Sequence, residues 1–138
     1  MDLEMGKNIE LRTIKDWEDF NQNKDGSFDT IIFKYSPICP ISISVEGMFD
    51  EWLSNLSGEI KLNCIKINVL TSRQLSRKIA EDIKIKHESP QLIWLTSEGE
   101  LKWTDSHYSI TESKLNEMLN KYIYSYFFII KSFLKIII

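Results

Sequence analysis

Cys39 stands in a turn that suits thiol chemistry. The turn follows an apolar, strand-like run that ends at Tyr35, and a long helical pattern begins directly after it. Pro40 fits the first position of a helix, because the N–H that proline lacks would have no partner there. Cys39 then lies at a helix N-terminus, where free N–H groups and the helix dipole favour an anion such as a thiolate. The sequence therefore predicts thiol–disulfide chemistry at Cys39; the alternative is a buried packing role, which is common for free cysteines.

Ser42 occupies the position at which a Cys-x-x-Cys motif would carry its second cysteine, so the site reads Cys-Pro-Ile-Ser. No disulfide can close across this turn. The expected chemistry is that of a monothiol, which attacks a mixed disulfide and is then released by an external thiol. The Ser42 hydroxyl has two possible roles, a hydrogen bond to the thiolate or a cap for the helix. Cys64 lies in an alternating apolar run and is predicted to pack in the core.

Ser89 and Pro90 form a second candidate segment, directly before an apolar run over residues 91–96. In the topology that the predicted strands and helices form, this loop faces the cysteine turn. A cis proline is expected at this place. The backbone of Ser89 could pair there with an extended substrate. The alternative is an ordinary proline at the entry to a strand, since only about 5–6% of X–Pro bonds are cis. His87 and His107 have no further ligands at metal-binding spacing, so no metal site is predicted.

Periodic patterns predict the element order β-α-β-α-β-α-β-β-α around these residues. The predicted strands are residues 9–12, 30–35, 60–69, 91–96 and 100–104. The predicted helices begin near Thr13, Cys39, Thr71 or Ser72, and Ser109. A loop is predicted over residues 21–27, and the helix after Cys39 is predicted to end at Gly58. A strand–helix–strand unit implies two parallel strands joined by a right-handed crossover. With a cysteine at the first strand-to-helix turn, the order predicts an α/β, thioredoxin-like fold, a central mixed β-sheet flanked by helices.

Composition sets the broad class of the protein. The 138 residues fit one domain, and 43% hydrophobic residues are enough for a core without a disulfide scaffold. The net charge of -3 and the absence of a basic cluster exclude nucleic acid as an expected partner. Residues 1–7 lack the apolar stretch of a secretory signal. Two cysteines far apart in the chain suit a reducing compartment, so a cytoplasmic location is expected.

Three motifs resemble those of the monothiol bacilliredoxin family, thioredoxin-fold proteins also described as general stress proteins. The motifs are Cys39-Pro40-Ile41-Ser42, His87-Glu88-Ser89-Pro90-Gln91, and Ser106-His107 followed by Ile110-Thr111. They fall at the places that the family's pattern requires. Tyr35 and Pro37-Ile38 depart from that pattern, which has more polar residues before the cysteine, and this difference could change the reactivity of the thiol.

The resemblance implies an activity and a set of site residues. Family members remove bacillithiol, a low-molecular-weight thiol, from proteins that were S-thiolated during oxidative stress. Cys39 would be the catalytic nucleophile, which takes over the bacillithiol and is regenerated by a second bacillithiol. Pro40 and Ser42 would shape the turn and Ser89 and Pro90 would line the groove, as the substrate-binding residues. Bacillithiol would then be a co-substrate, no cofactor would be tightly bound, and the partners would be S-thiolated client proteins.

Residues 122–138 form an apolar tail after the expected domain of residues 1–121, and family members usually lack this tail. Its 17 residues include Lys131 and Lys135 and fall short of the roughly 20 apolar residues that span a bilayer. Each lysine near the bilayer centre would cost on the order of 2.5–3.5 kcal/mol. A membrane anchor is therefore disfavoured, though still open. The tail is expected to be helical and to pack on the domain or on a second subunit.

Two other functions stay open at this point. One is a glutaredoxin-like monothiol protein that uses glutathione or another low-molecular-weight thiol. The other is a non-catalytic thioredoxin-fold binding module in which Cys39 is inert. Competition between thiols distinguishes the first from a bacillithiol-dependent enzyme, and slow alkylation of Cys39 would indicate the second.

Overall fold

The computed structural model describes residues 8–137 and contains a five-stranded mixed sheet with helices on both faces. The strands are β1 (Asn8–Glu10), β2 (Thr30–Tyr35), β3 (Asn63–Asn68), β4 (Gln91–Leu95) and β5 (Leu101–Ser106). The helices are α1 (Ile14–Asn23), α2 (Pro40–Ser54), α3 (Arg73–Ile83) and α4 (Glu112–Ile137), with a short 3₁₀ helix at His107–Ser109. The predicted fold class is confirmed. The expectation about a secretory signal concerns residues 1–7, which lie outside the described residues.

β2 lies at the centre of the sheet, whose strand order is β1-β3-β2-β4-β5. Ile31, Ile32 and Phe33 are fully buried, as expected for a strand that is covered on both faces. β2 pairs in parallel with β3 and antiparallel with β4. The predicted strand–helix–strand unit is therefore confirmed, and β1, β3 and β2 end at the same edge of the sheet.

Each face of the sheet has its own hydrophobic core. On one face, α2 and α4 pack aromatic side chains against the sheet, and the rings of Phe33 and Phe49 stack with their centroids 4.7 Å apart. On the other face, α1 and α3 bury Trp17, Phe20 and Leu75. The two cores hold β2 from both sides and so fix the position of the turn that follows it.

Two helix boundaries differ from the prediction. α1 continues to Asn23, so the loop predicted from residue 21 begins later. α2 ends at Ser54 rather than at Gly58, because the chain leaves the helix at Asn55, whose amide bonds back to the last turn. Neither difference moves a residue of the candidate site.

The start of α4 also differs from the prediction. The Thr111 hydroxyl accepts a hydrogen bond from the Lys114 amide at 3.2 Å, which makes Thr111 the cap. Ser109, the predicted cap, belongs to the preceding 3₁₀ helix. The His107 amide donates a hydrogen bond to the Pro90 carbonyl at 3.0 Å. This bond holds the 3₁₀ helix against the proline loop, so α4 begins only after it.

α4 runs without a break from Glu112 to Ile137, across the expected boundary between residues 121 and 122. Its first half is buried against the sheet through Leu115 and Tyr122. Beyond Tyr122 the large apolar side chains are exposed, so the helix extends past the edge of the domain. Within residues 8–137, no helix is both long enough and apolar enough to cross a bilayer.

Candidate active site

The three segments that carry the motifs lie at one edge of the sheet. β2 leads into the Cys39 turn at this edge, and the pairing of Lys34 with Gln91 puts the start of β4 beside the end of β2. Gln91 pairs in turn with Ser106, at the end of β5. The cysteine turn, the Ser89–Pro90 loop and the 3₁₀ helix therefore occupy the same end of three neighbouring strands.

Cys39 is the N-cap of α2, and Pro40 is the first residue of that helix, as predicted. The Cys39 backbone is extended (φ −93°, ψ 120°), and its carbonyl accepts the first helical hydrogen bond from the Ile43 amide at 2.9 Å. The Cys39 side chain is half-buried and makes no capping hydrogen bond. The amides of Ile41 and Ser42 have no carbonyl partner within the helix, so free N–H groups and the positive end of the helix dipole lie beside Cys39.

Ser42 has neither of the two roles considered for it. Its side chain is fully buried, and its Oγ accepts a hydrogen bond from the Ser36 amide at 2.7 Å. Among the described residues, no hydrogen bond joins Ser42 to the Cys39 sulfur. A fully buried hydroxyl supports a structural role for Ser42, and the substrate-binding role predicted for it stays a prediction. Ser42 fixes the turn by bonding its first residues to α2.

Cys64 lies inside β3 and is only 2% exposed. It packs in the core between the sheet and α2, and burial raises the pKa of its thiol to about 12. Both cysteines are free. The predicted packing role of Cys64 is confirmed.

The Ser89–Pro90 peptide bond is cis, as the fold context predicted. Pro90 is buried and Ser89 is half-buried. The Ser106 side chain is hydrogen-bonded to Glu88, and this bond is the main cause of the lowered pKa of Glu88. The His107 amide donates to the Pro90 carbonyl. The second and third motifs therefore bond directly to each other, and together they form the wall of the site opposite the cysteine turn.

Lys34 joins β2 to the proline loop, and the motifs gave no indication of it. Its Nζ is buried, donates to the Ser76 carbonyl at 2.8 Å and lies 3.1 Å from His87 Nδ1. Burial lowers the pKa of Lys34 to about 8, and burial together with the Lys34 charge lowers the pKa of His87. A neutral His87 can accept a hydrogen bond from Lys34. The sequence signal for Lys34 was its position in the strand. Lys34 lies two residues after Ile32 and so faces the side of β2 that α1 and α3 cover.

The chain matches a known protein family over most of its length. The family model described as monothiol bacilliredoxin BrxC matches residues 9–115, a range that contains all three segments. The chain belongs to the monothiol bacilliredoxin family. The resemblance drawn from the motifs is thereby confirmed, and the family assigns the chain to the thiol–disulfide oxidoreductases.

Solved structures with a thioredoxin fold are similar to this chain. A proposed oxidoreductase with a thioredoxin fold is 31% identical, with a TM-score of 0.66, and the match covers 81% of this chain and 93% of that one. Thioredoxin from Schistosoma mansoni is 18% identical, with a TM-score of 0.65 and coverage of 86% and 97%. Thioredoxin f from spinach chloroplast is 13% identical, with a TM-score of 0.63 and coverage of 88% and 97%. At these lower identities, the two thioredoxins show the fold alone.

Exposed apolar side chains lie next to Cys39 along the chain and on the 3₁₀ helix. Ile38 is 75% exposed, Ile43 is 51% exposed one turn further along, and Tyr108 is 64% exposed on the 3₁₀ helix, which packs against α2. Tyr35 is half-buried and its hydroxyl donates to Glu10. Of the apolar residues noted in the sequence before the cysteine, Ile38 is thus exposed directly beside Cys39 in the chain, whereas Tyr35 is half-buried.

Metal ligands do not gather at this site. Within the described part of the chain, no three His, Cys, Asp or Glu side chains lie close enough to hold a metal ion. His107 has a positive φ of 54°, and its backbone shapes the wall of the site.

Proposed function

We propose that the chain removes bacillithiol from S-thiolated client proteins, with Cys39 as the nucleophile. In the first step, the Cys39 thiolate attacks the bacillithiol sulfur of the mixed disulfide. A Cys39–bacillithiol bond forms as the client's S–S bond breaks, and the client leaves as a thiolate that takes up a proton. In the second step, a bacillithiol thiolate attacks the bacillithiol sulfur on Cys39. Cys39 leaves as a thiolate, and the product is bacillithiol disulfide, so reduced bacillithiol is the reductant.

One observation carries this proposal: a half-buried thiol stands at the N-terminus of α2, and a hydroxyl replaces the second sulfur of the motif. The helix end supports a thiolate, which is the form that attacks disulfides. Ser42 cannot resolve a mixed disulfide, and Cys64 is buried in the core. The second step therefore needs an external thiol, which a reducing compartment such as the cytoplasm supplies.

The surface around Cys39 supports a protein as the first substrate. Exposed Ile38, Ile43 and Tyr108 offer apolar area beside the sulfur, and such area favours contact with another protein. Ser89 makes no backbone hydrogen bond to the other described residues, so its N–H and carbonyl can pair with an extended client segment. Exposed Pro40 would bound the groove on one side, and buried Pro90 would hold the Ser89 backbone in place on the other.

A client protein that carries bacillithiol on a single cysteine tests the proposal. It is incubated with the chain and free bacillithiol while the masses of both proteins are followed. Wild type is expected to release the client thiol and to show a transient bacillithiol adduct on Cys39. Cys39→Ser is expected to release nothing above the buffer rate, whereas the matched control Cys64→Ala keeps the wild-type rate. Equal release by wild type and Cys39→Ser would contradict the proposal.

The same assay identifies the thiol. Bacillithiol and glutathione are supplied at equal concentration, and the recycling of the Cys39 adduct is compared. Faster recycling by bacillithiol supports the proposal, while faster recycling by glutathione would indicate the glutaredoxin-like alternative. A chain that forms no adduct with either thiol would be a binding module.

Ser42→Cys tests the monothiol step. The introduced thiol can attack the Cys39 sulfur of the mixed disulfide, which releases bacillithiol and leaves a disulfide across the turn. The adduct on Cys39 should therefore no longer accumulate. Ser44→Cys is the matched control, because Ser44 is exposed on the same helix and lies off the turn. An adduct that persists equally in both variants would contradict this step.

A further inference from the structure

The second half of α4 exposes a regular row of large apolar side chains. Beyond Tyr122 they recur at alternating intervals of four and three residues, at Tyr126, Ile129, Phe133 and Ile136. The same intervals lead back from Tyr122 to the buried part of α4, so the exposed row continues the face that packs on the sheet. Intervals of four and three are the pattern by which one helix packs along another. We call residues 122–136 on this face the α4 seam.

The α4 seam and its flank are large enough for a specific interface. Five side chains between 38% and 83% exposed lie on this face or next to it: Tyr126, Ile129, Ile130, Phe133 and Ile136. At on the order of 100 Å² each, they offer roughly 500 Å² per copy and roughly 1,000 Å² in a pair, the area that a specific interface needs. Such a surface is therefore expected to be covered by a partner.

The charges on this half of α4 leave the seam free. Lys131 and Lys135 lie on the opposite side of the helix from Ile129 and Phe133, as their spacing on a helix of 3.6 residues per turn requires. Two copies can therefore bring their seams together without bringing these lysines together. The pairing would then bury the apolar row without burying either lysine.

We propose that the α4 seam pairs with the α4 seam of a second copy, in antiparallel orientation. The domain lies on the same side of α4 as the seam, because the seam continues the buried face. A parallel pair would put both domains at one end of the pair, on the sides that face each other, where they would overlap. An antiparallel pair puts the domains at opposite ends, with Ile129 of the two copies near the two-fold axis and Tyr122 opposite Ile136 of the partner subunit.

A cleft at the base of the seam supports this arrangement. It has a volume of about 390 Å³ and lies between the Ser57–Lys61 loop and α4, where Ile60, Ile123 and Phe127 line it. In the antiparallel pair, the end of the partner's helix reaches this cleft. The loop precedes β3, so the cleft lies at the edge of the sheet opposite Cys39. Both Cys39 sites stay open, and the pairing does not depend on the proposed function.

A bilayer surface fits the seam less well. A flat surface that approaches this side of α4 would meet the domain before it covered the row, whereas a second helix can lie alongside. The choice between these two occupants can be measured directly.

Sedimentation velocity over a concentration series tests the pairing on the full chain. Wild type is expected to reach twice its mass of 16.3 kDa and to form no larger species. Phe133→Glu puts a charge into the seam of both copies and should weaken the association by at least about 100-fold. Tyr124→Glu, on the outer face of the same helix, should keep the association within a few-fold. Unchanged thermal unfolding of both variants shows that the domain itself is intact.

Crosslinking tests the orientation. In a Cys39→Ser background, Ile129→Cys should form a disulfide-linked dimer on mild oxidation, because Ile129 lies near the axis. Ile136→Cys should not, because the two copies of Ile136 lie at opposite ends of the pair. Crosslinking of both variants would indicate a parallel pair and overturn the proposal.

Three other outcomes would also overturn it. They are a chain that stays monomeric at every concentration, a dimer that Phe133→Glu leaves intact, and open-ended aggregates. Vesicles of phosphatidylglycerol and of phosphatidylcholine provide the last comparison. A monomeric chain that binds either vesicle and loses that binding in Phe133→Glu would assign the seam to lipid instead.

Discussion

The two cysteines have the same side chain but lie in different surroundings. Cys39 is half-buried and lies at the start of α2, just beyond the end of the central strand β2. Cys64 lies in the middle of the sheet, with β3 paired to β1 on one side and to β2 on the other, and burial raises the pKa of its thiol to about 12. Cys64 is therefore a protonated core residue at neutral pH. The comparison teaches that the position in the fold, and not the residue type, determines which thiol solvent can reach.

Alkylation gives the largest expected difference between the two thiols. With iodoacetamide at neutral pH, Cys39 should be labelled at least about 1,000-fold faster than Cys64, because Cys64 reacts only when the sheet opens. Peptide mass spectrometry measures both rates in one sample. In denaturant the two rates should converge, which controls for local sequence effects. Labelling of Cys64 within ten-fold of Cys39 would break the comparison.

The Cys39 side of this comparison could be predicted from the sequence because local signals define it. The β-branched run before Tyr35 gave the bounds of β2, and proline at position 40 gave the start of α2. Both signals act over a few residues. The cap of α4 was predicted less well, because Ser109 and Thr111 both fit the local pattern and only the bond between His107 and the proline loop distinguishes them.

The contacts that complete the site depend on tertiary structure. The Lys34–His87 contact joins residues 53 positions apart, and the sequence does not show which histidine will meet a buried lysine. Ser42 was assigned to the thiolate or to the helix cap because its true donor, the Ser36 amide, lies in the preceding turn. Motifs located the site, and packing then determined what each side chain does there.

Burial also changes the pKa of Lys34, which lies in β2, the strand next to the one that carries Cys64. The pKa of Lys34 falls from 10.5 to about 8. Between these values the unfolded chain binds more protons, so this residue makes stability rise with pH. From pH 8 to pH 10, the free energy of unfolding of wild type should rise by about 2 kcal/mol relative to Lys34→Met. Urea unfolding at the two pH values measures it. Lys86→Met removes an exposed lysine and should keep the wild-type profile; a Lys34→Met variant that also keeps that profile would show that the buried charge has no such effect.

Cys64 should show the opposite pH dependence, with a smaller effect. Its thiol titrates at 9.0 when unfolded and at about 12 when folded, so the folded state holds the proton more strongly between these values. Stability from this residue is therefore present below pH 9 and is lost as pH rises. From pH 8 to pH 10, wild type should lose about 1 kcal/mol of unfolding free energy relative to Cys64→Ala.

Burial also raises the pKa of Tyr35 and of Tyr122 to about 12, and both add losses of the same sign at high pH, but both tyrosines are present in wild type and in Cys64→Ala and their contributions cancel in the difference. Lys34 is present in wild type and in Cys64→Ala, so its opposite contribution cancels in the difference. The constant offset between the two proteins reports the packing of the sulfur, and only the change in that offset with pH reports its proton. A flat offset would mean that the Cys64 thiol has the same pKa in the folded state as in the unfolded chain. In that case burial could not be what distinguishes the two thiols.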